Sequence, residues 1–506
     1  MANRLSLSRP PPRYSFDRMK SLWDDVKAAS HTGALPLRAY TSRLLGKEKS
    51  LVLYGGGNTS VKIDDLLYVK GTGSDLAGVD VSDFTPLRLD CVRRLAEHEL
   101  PDHAGMMQAL DGCIAQRPAP RPSIETMLHA ALPFPYVEHT HAYAALAALN
   151  VEHAEQVAAR LYGEFAPLVP YRHSGIELAR QCLEVFRRRG TNRTIGLILA
   201  FHGVVAFGNS ARESYENMIR LATMAEDYLK AKNAWNIAFS DTSPIPPDRT
   251  GLAKLRAHAS RAAGFPLIMR TMNDPLCLAF ARRADLPIVS RQGPSTPQHA
   301  IYTKRIPLLG RDVDAFAREY RAYLQRHPET AADGRIDTAP RVIIDPDLGV
   351  CALGVNAGYT ERAAEVYRRD IEVISRASAH DAYRAAPEHE IARAEAEYGG
   401  FESALRARTG HDKPLLGQVA LVTAGAARCQ PALAARLTDQ GAEVAVAGTA
   451  NHAAALDEIV LSYGGLDRLY SAGDDAMWRG AAAQLLRHSP VVGRIIRVDA
   501  GSIPVV

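Results

Sequence analysis

Two histidines one residue apart in an otherwise strand-like run, Tyr136-Val137-Glu138-His139-Thr140-His141, constrain this chain more than any other stretch. On a β-strand residues i and i+2 point to the same face, so His139 and His141 would stand side by side. That is a metal-ligand arrangement, and it asks for a further donor from elsewhere in the fold. Thr194 to Ala200 reads as a buried strand that breaks at His202-Gly203 and resumes at Val204 to Phe207, which puts His202 at a strand end. Chance alone supplies roughly half a pair at this spacing from 17 histidines in 506 residues. A lone histidine at a strand end is also more often a satisfied core or turn residue than a ligand. Context decides.

Upstream of the pair lies a proline-punctuated loop, Pro118 to Pro122, after which Ser123 can cap a helix from Ile124 through Ala131. Glu125 falls in the first turn of that helix, where the helix dipole stabilises a carboxylate whatever its function. Glu125, His139, His141 and His202 together supply one carboxylate and three neutral nitrogens, the set expected of catalytic zinc or a similar divalent ion. Three protein ligands leave a coordination position for substrate.

Two glycine turns precede this set. The apolar run Leu51 to Tyr54 meets Gly55-Gly56-Gly57-Asn58-Thr59-Ser60, then Val61-Lys62-Ile63, a strand-turn-strand pattern. A strand at Leu66 to Val69 ends in Lys70-Gly71-Thr72-Gly73-Ser74-Asp75. Backbone N–H groups freed by glycine, with Thr59, Ser60, Thr72 and Ser74 as further donors, would suit a phosphate. Both turns are equally readable as plain hairpin turns. Neither is a Walker loop, because no G-K-[ST] follows.

In this order the motifs G-G-G-N-T-S, T-G-S, S-x-E, H-x-H and H-G resemble the class II aldolase/adducin superfamily. Pro122-Ser123-Ile124-Glu125-Thr126, Val137 to His141, Gly293-Pro294-Ser295-Thr296-Pro297 and Thr303-Lys304-Arg305 are similar, more narrowly, to the long bifunctional rhamnulose-1-phosphate aldolase/short-chain dehydrogenase proteins. The resemblance runs over nearly the whole chain. It implies zinc on His139, His141 and His202, Glu125 as catalytic acid/base, and a substrate phosphate lined by Asn58, Thr72, Gly73 and Ser123. Shorter superfamily members carry a second serine where Ile124 stands. Their tyrosine proton donor comes from a neighbouring subunit of a homo-oligomer; Tyr143 and Tyr171 are candidates for it here.

The expected fold class is α/β: a class II aldolase-type α/β/α domain over residues 1–243, an α+β extension over 244–408, a linker at 409–416 and a truncated Rossmann-like domain over 417–506. In the extension, Gly293 to Arg305 reads as a loop whose Lys304 and Arg305 either clamp an anion or are merely solvated. Arg341 to Val355 reads as a hairpin and Thr360 to Ala377 as a long amphipathic helix.

From Gly417 a β-α-β pattern resembles the short-chain dehydrogenase fold. Its nucleotide turn, Thr423 to Gln430, keeps only Gly425, although glycines are what let backbone approach a pyrophosphate. No lysine follows Lys413, so the Y-x-x-x-K pair of that family is absent; aspartates, Asp467 and Asp474, stand four after Tyr463 and Tyr470. NAD binding is therefore not expected.

A net charge of +4 from 60 basic and 56 acidic residues gives no field for nucleic acid, so the expected partner is a small phosphorylated sugar. The polar start of the chain and the absence of a long apolar run predict no signal peptide and no membrane association. Six separated cysteines without a C-x-x-C pair predict neither a disulfide framework nor a thiolate zinc site, and with them a cytoplasmic protein. The favoured activity is a metal-dependent cleavage of a ketose 1-phosphate. Epimerisation or dehydration at the same site, or a non-catalytic scaffold, are the alternatives.

Overall fold

The computed structural model describes residues 13–14, 18–95, 97, 103–238, 243–328, 336–399, 402, 405, 412–423, 430–447, 452–471, 476–491 and 493–497. By its internal contacts the chain divides into two units, one built from Tyr14–Ile237 with Glu372–Ala386, the other mainly from Ala238–Ile371 and Pro387–Val506.

The first unit holds a seven-stranded sheet. Its strands are β1 (Asn58–Ile63), β2 (Leu66–Lys70), β3 (Phe84–Arg88), β4 (Tyr136–Thr140), β5 (Leu168–Val169), β6 (Gly196–Leu199) and β7 (Gly203–Gly208), in the order β3-β2-β1-β4-β7-β6-β5. Neighbours are antiparallel except β5 and β6. All five residues of β4 are buried, as a central strand covered on both faces must be. On one face Val137, Val205 and Phe207 pack with Met127, Leu128 and Leu178 from the helices Thr126–Ala131 and Ile176–Arg189. The opposite face meets the helices Ala34–Gly46 and Ala211–Ala231. There Glu138 accepts from Arg38 Nη2 at 2.6 Å and Ser214 Oγ at 2.8 Å, all three side chains fully buried. The layering is α/β/α.

Two expectations are corrected in this unit. Leu51 to Tyr54 is not a strand: its backbone is used to tie down the end of β4, the Leu51 carbonyl accepting from His141 N–H and the Ser50 carbonyl from Tyr143 N–H. Cys91 and Cys113 form a disulfide, although they stand 22 positions apart in the sequence. The hairpin-like return of the chain beyond β3 brings them together, which no C-x-x-C spacing announces.

The second unit contains two sheets. One comprises β8 (Ile268–Met272), β9 (Leu308–Leu309), β10 (Val342–Asp345) and β11 (Gly349–Gly354), in the order β8-β11-β10-β9. The β10–β11 hairpin is the expected one, and Asp345 builds its turn by accepting from the backbone of Asp347 and Leu348. Gly293 to Arg305 is not an open loop. It contains the short helices Pro297–His299 and Ala300–Thr303, and its cations are taken up locally, Lys304 by Asp337 at 3.2 Å and Arg305 by Glu388 at 3.2 Å. Neither is a solvated surface charge.

The other sheet is parallel throughout: β12 (Val419–Thr423), β13 (Glu443–Ala447), β14 (Arg468–Ser471) and β15 (Arg494–Arg497), in the order β13-β12-β14-β15. The helices Gln430–Asp439, His452–Tyr463 and Ala476–Leu486 make the crossovers that parallel strands require. The two sheets share a core, in which Leu267, Ile268 and Met269 pack with Leu421, Leu456 and Trp478. Within it Arg256 and Asp467, both about 1% exposed or less, form a bidentate pair at 2.7 and 3.2 Å. Asp467 also accepts from Val419 N–H and Ser489 Oγ, so every lone pair has a partner and the aspartate serves the fold. The reduced nucleotide turn at 424–429, the linker residues 409–411, Asp474 and residues 498–501 lie outside the described residues.

Asp467→Ala would leave the Arg256 guanidinium buried and unpaired, which costs about 3–5 kcal/mol. Urea denaturation of the full chain should show a loss of that size in the transition of the second unit, whereas breaking an exposed pair of the same unit, Arg326→Ala opposite Glu388, should move it by less than about 1 kcal/mol.

Candidate active site

His139 sits on β4 directly opposite Asn58 of β1 on one side and Val205 of β7 on the other. His141 follows the end of the strand. His202 stands in the turn between β6 and β7, where Phe201 adopts φ 53°. One ligand atom from each of the three rings lies within 4.8 Å of the other two. Two glycines let the backbones close around them. A Cβ on Gly203 would come within 2.2 Å of the Thr140 carbonyl, and one on Gly57, itself at φ 67°, within 2.9 Å of the His139 carbonyl. Only glycine fits either place.

His139 donates from Nδ1 to the Val204 carbonyl at 3.1 Å. A neutral ring so held carries its lone pair on Nε2, which is fully buried without a hydrogen-bond partner and 3.6 Å from Glu125 Oε2. Burial pushes the His139 pKa down to about 4, against the opposing pull of Glu125. Histidines must be neutral to ligate, and an imidazole whose other nitrogen is fixed by a carbonyl is pre-oriented for it. The residues therefore fit a divalent cation such as zinc.

Glu125 opens the helix Thr126–Ala131 at its N-cap position, but its side chain does not cap that helix. It turns toward the histidines. Oε1 lies 3.1 Å from His202 Nε2 and accepts from Ser174 Oγ at 3.2 Å, while Oε2 accepts from Asn58 Nδ2 at 2.6 Å. Burial works to raise its pKa, yet His139 and His202, with hydrogen bonds from His202 and Asn58, carry it well below the usual carboxylate value. Glu125 is thus ionised and aimed at the triad, which the reading of a plain first-turn glutamate does not explain.

The proposed anion-binding turns turn out differently in detail. Thr59 pairs with Ser42 and Ser60 with His129, both beneath the sheet surface; Thr72 donates to the Pro122 carbonyl and Ser74 to Asp83. The hydroxyls are engaged in holding the turns together. Thr72 N–H donates to the Arg121 carbonyl, which seats the Thr72-Gly73 turn against the loop leading to Ser123, and Ser123 Oγ accepts from Glu125 N–H. Asn58 lies at the carboxylate. The two turns and Ser123 are brought to one end of the sheet, beside the triad. Tyr143 is buried in the helix Tyr143–Leu149, and Tyr171 lines a cavity of about 660 Å³ with Pro170 and Phe201.

Three residues escape the sequence reading. Lys70, at the end of β2, is 2% exposed, and its Nζ lies 3.4 Å from the Gly55 carbonyl of the first glycine turn. That turn borders the metal triad, since a Cβ on Gly56 would be 3.6 Å from His141 Nδ1. Burial lowers the Lys70 pKa to about 8, opposed by Asp75, Asp83 and Glu125. Its signal was the lysine preceding the second turn. Ser174 and His129 complete the surroundings of Glu125; His129 stands one helical turn after it, a spacing that is visible in the sequence.

Residues 37–229 match the class II aldolase and adducin N-terminal domain, and residues 247–404 match the aldolase class II second domain. An uncharacterized oxidoreductase, YuxG, of Bacillus subtilis (strain 168) is 28% identical over 463 residues, covering 85% of this chain. The chain spans 66% of the length of that curated relative. Among solved structures, the N-terminal class II aldolase domain of a conserved protein from Thermoplasma acidophilum is 31% identical, covering 42% of this chain and 99% of its own, with a TM-score of 0.39. An L-fuculose-1-phosphate aldolase from Thermus thermophilus is 18% identical over 39% of this chain and 95% of its own, with a TM-score of 0.27.

His139→Ala should lower the divalent-metal content of purified protein by at least about tenfold, measured by elemental analysis. Glu125→Gln should leave it near the wild-type level, because the three imidazoles remain. Unchanged metal in His139→Ala would remove the assignment.

Proposed function

Because the chain carries domains of the class II aldolase/adducin superfamily, we propose that it is a divalent-metal-dependent, zinc-type aldolase that cleaves a phosphorylated ketose such as rhamnulose 1-phosphate into dihydroxyacetone phosphate and an aldehyde. The observation that carries this is an ionised Glu125 held 3.1 Å from His202, one histidine of a three-histidine cluster whose ligand atoms lie within 4.8 Å of one another. Zinc or a similar ion on His139, His141 and His202 would act as Lewis acid toward the carbonyl of the ketose.

The chain's own groups do the rest. In the direction of condensation Glu125 takes a proton from the carbon beside the carbonyl; in cleavage it returns that proton once the carbon–carbon bond has broken. Asn58 and Ser174 hold the carboxylate for both transfers. The substrate phosphate is assigned to the Thr72-Gly73 turn and Ser123, with Lys70 supplying the positive charge that the hydroxyls do not. An anion near a buried ammonium with one long hydrogen bond to a carbonyl gains more than it would at a solvated lysine. The protein acts as a homo-oligomer, in which a neighbouring chain brings the tyrosine that serves the leaving aldehyde. The parallel sheet of the second unit is read as a Rossmann-like remnant without dehydrogenase chemistry, since no lysine follows Lys413 and Asp467 is committed to Arg256.

Metal-loaded protein should release dihydroxyacetone phosphate from at least one of a panel of ketose 1-phosphates, detected by coupled reduction, and Glu125→Gln should not. Release from none of them would end the reading. Lys70→Met should raise KM about 10-fold or more with a smaller effect on kcat, as expected for loss of a charge-assisted contact of about 1.5–3 kcal/mol. For the wild type, the sign is fixed by the pKa near 8: the ammonium is present below it and lost above it, so phosphate affinity should hold at lower pH and fall as pH rises past about 8.

A further inference from the structure

Glu125 does not stand alone with Asn58. The Asn58 side chain is itself gripped from behind: its Oδ1 is in close contact with His129 Nε2, and His129 Nδ1 lies 2.8 Å from Ser60 Oγ. Ser60 and His129 are fully buried and Asn58 nearly so, at 6% exposure. The chain of contacts is Ser60, His129, Asn58, Glu125.

Only one assignment of protons satisfies it. Asn58 sets its Nδ2 against Glu125 Oε2, to which it donates, and its Oδ1, which can only accept, against His129. His129 must then carry its proton on Nε2. That leaves Nδ1 as an acceptor, which the Ser60 hydroxyl satisfies by donating. The other tautomer would set two acceptors against each other, and relief by an amide flip would turn the Asn58 oxygen onto the carboxylate. Burial keeps His129 from gaining a second proton, with its pKa pushed down to about 3, though Glu125 opposes this.

The elements are matched in length for this arrangement. Asn58 and Ser60 share one face of β1, about 6.8 Å apart along the strand, and Glu125 and His129 share one side of a helix, about 6 Å apart along its axis. Two rungs can therefore form between strand and helix. We propose that Ser60 and His129 are positioning residues: Ser60 fixes the tautomer of His129, His129 fixes the direction of the Asn58 amide, and the amide holds Glu125 in the orientation for proton transfer. The inference rests on Glu125 being the proton shuttle of the proposed aldolase, but its structural half does not.

That half is tested by 15N NMR of histidine-labelled protein. His129, identified by the signal lost in His129→Gln, should show the neutral Nε2–H tautomer from pH 5 to 9, and Ser60→Ala should populate the other one. A resting Nδ1–H tautomer or a protonated ring would overturn the proposal whether or not the protein proves to be an aldolase. The functional half uses size-preserving variants. His129→Phe should lower kcat about 10- to 100-fold with KM within about threefold and metal content unchanged. His129→Gln, which can place an N–H where Nε2–H stood, should recover most of the loss. Equal loss in both variants, or a change confined to KM or to metal content, would show that His129 only fills space.

Discussion

The alignment of β1 against β4 is the constraint from which the site follows. It puts Asn58 opposite His139 and, through the two-residue period of a strand, Ser60 opposite Val137. A slip of one residue would turn His139 to the face now occupied by Glu138 and send Asn58 away from Glu125. The fold guards against that slip on both faces. His139 shares its face with the large apolar core, while Glu138 is locked on the other by Arg38 and Ser214. A carboxylate turned into the core, or an arginine left without it, costs several kcal/mol, more than any local rearrangement returns.

Burial then sets the protonation states. Water is excluded from Glu125, His129 and His139 alike, but the consequences differ with the neighbours. His129 and His139 lose their charge because desolvation outweighs the attraction of Glu125. Glu125 keeps its charge because several donors converge on it. An ionised base beside the neutral rings of His129 and His139 suits both metal ligation and proton abstraction, and all three side chains are buried.

Much of this was legible in the sequence, because strand and helix periods act locally. The i, i+2 histidine pair and the break at His202-Gly203 follow from strand geometry, whereas the part of Glu125 was carried by the family resemblance. The partners of the hydroxyls in the glycine turns were not legible, for a physical reason. Thr59 and Ser60 lie within β1, so their partners come from the layers packed on the sheet, Ser42 and His129, and no local rule names those layers. Lys70 was passed over because a lysine at a strand end is ordinarily solvated; its burial depends on the first glycine turn folding over it. The Cys91–Cys113 disulfide and the local partners of Lys304 and Arg305 are likewise matters of tertiary approach.

The parallel sheet at the end of the chain obeys the same logic as β4. Its nucleotide turn reads in the sequence as short of glycines, yet its core side chains are continuous with those around β8, and Trp478 and Leu456 are buried against them. Arg256 reaches out of the helix Arg249–Ala263 to satisfy the carbonyls of Leu267 and Gly417 and the carboxylate of Asp467 at once. Removing the sheet would strand that guanidinium and uncover Ile268 and Met269, so the extension has no complete core of its own. Whatever it binds, the segment is held in place by the apolar and charged groups its neighbours would otherwise expose. Packing within its own unit is sufficient reason for these four strands to be held in place.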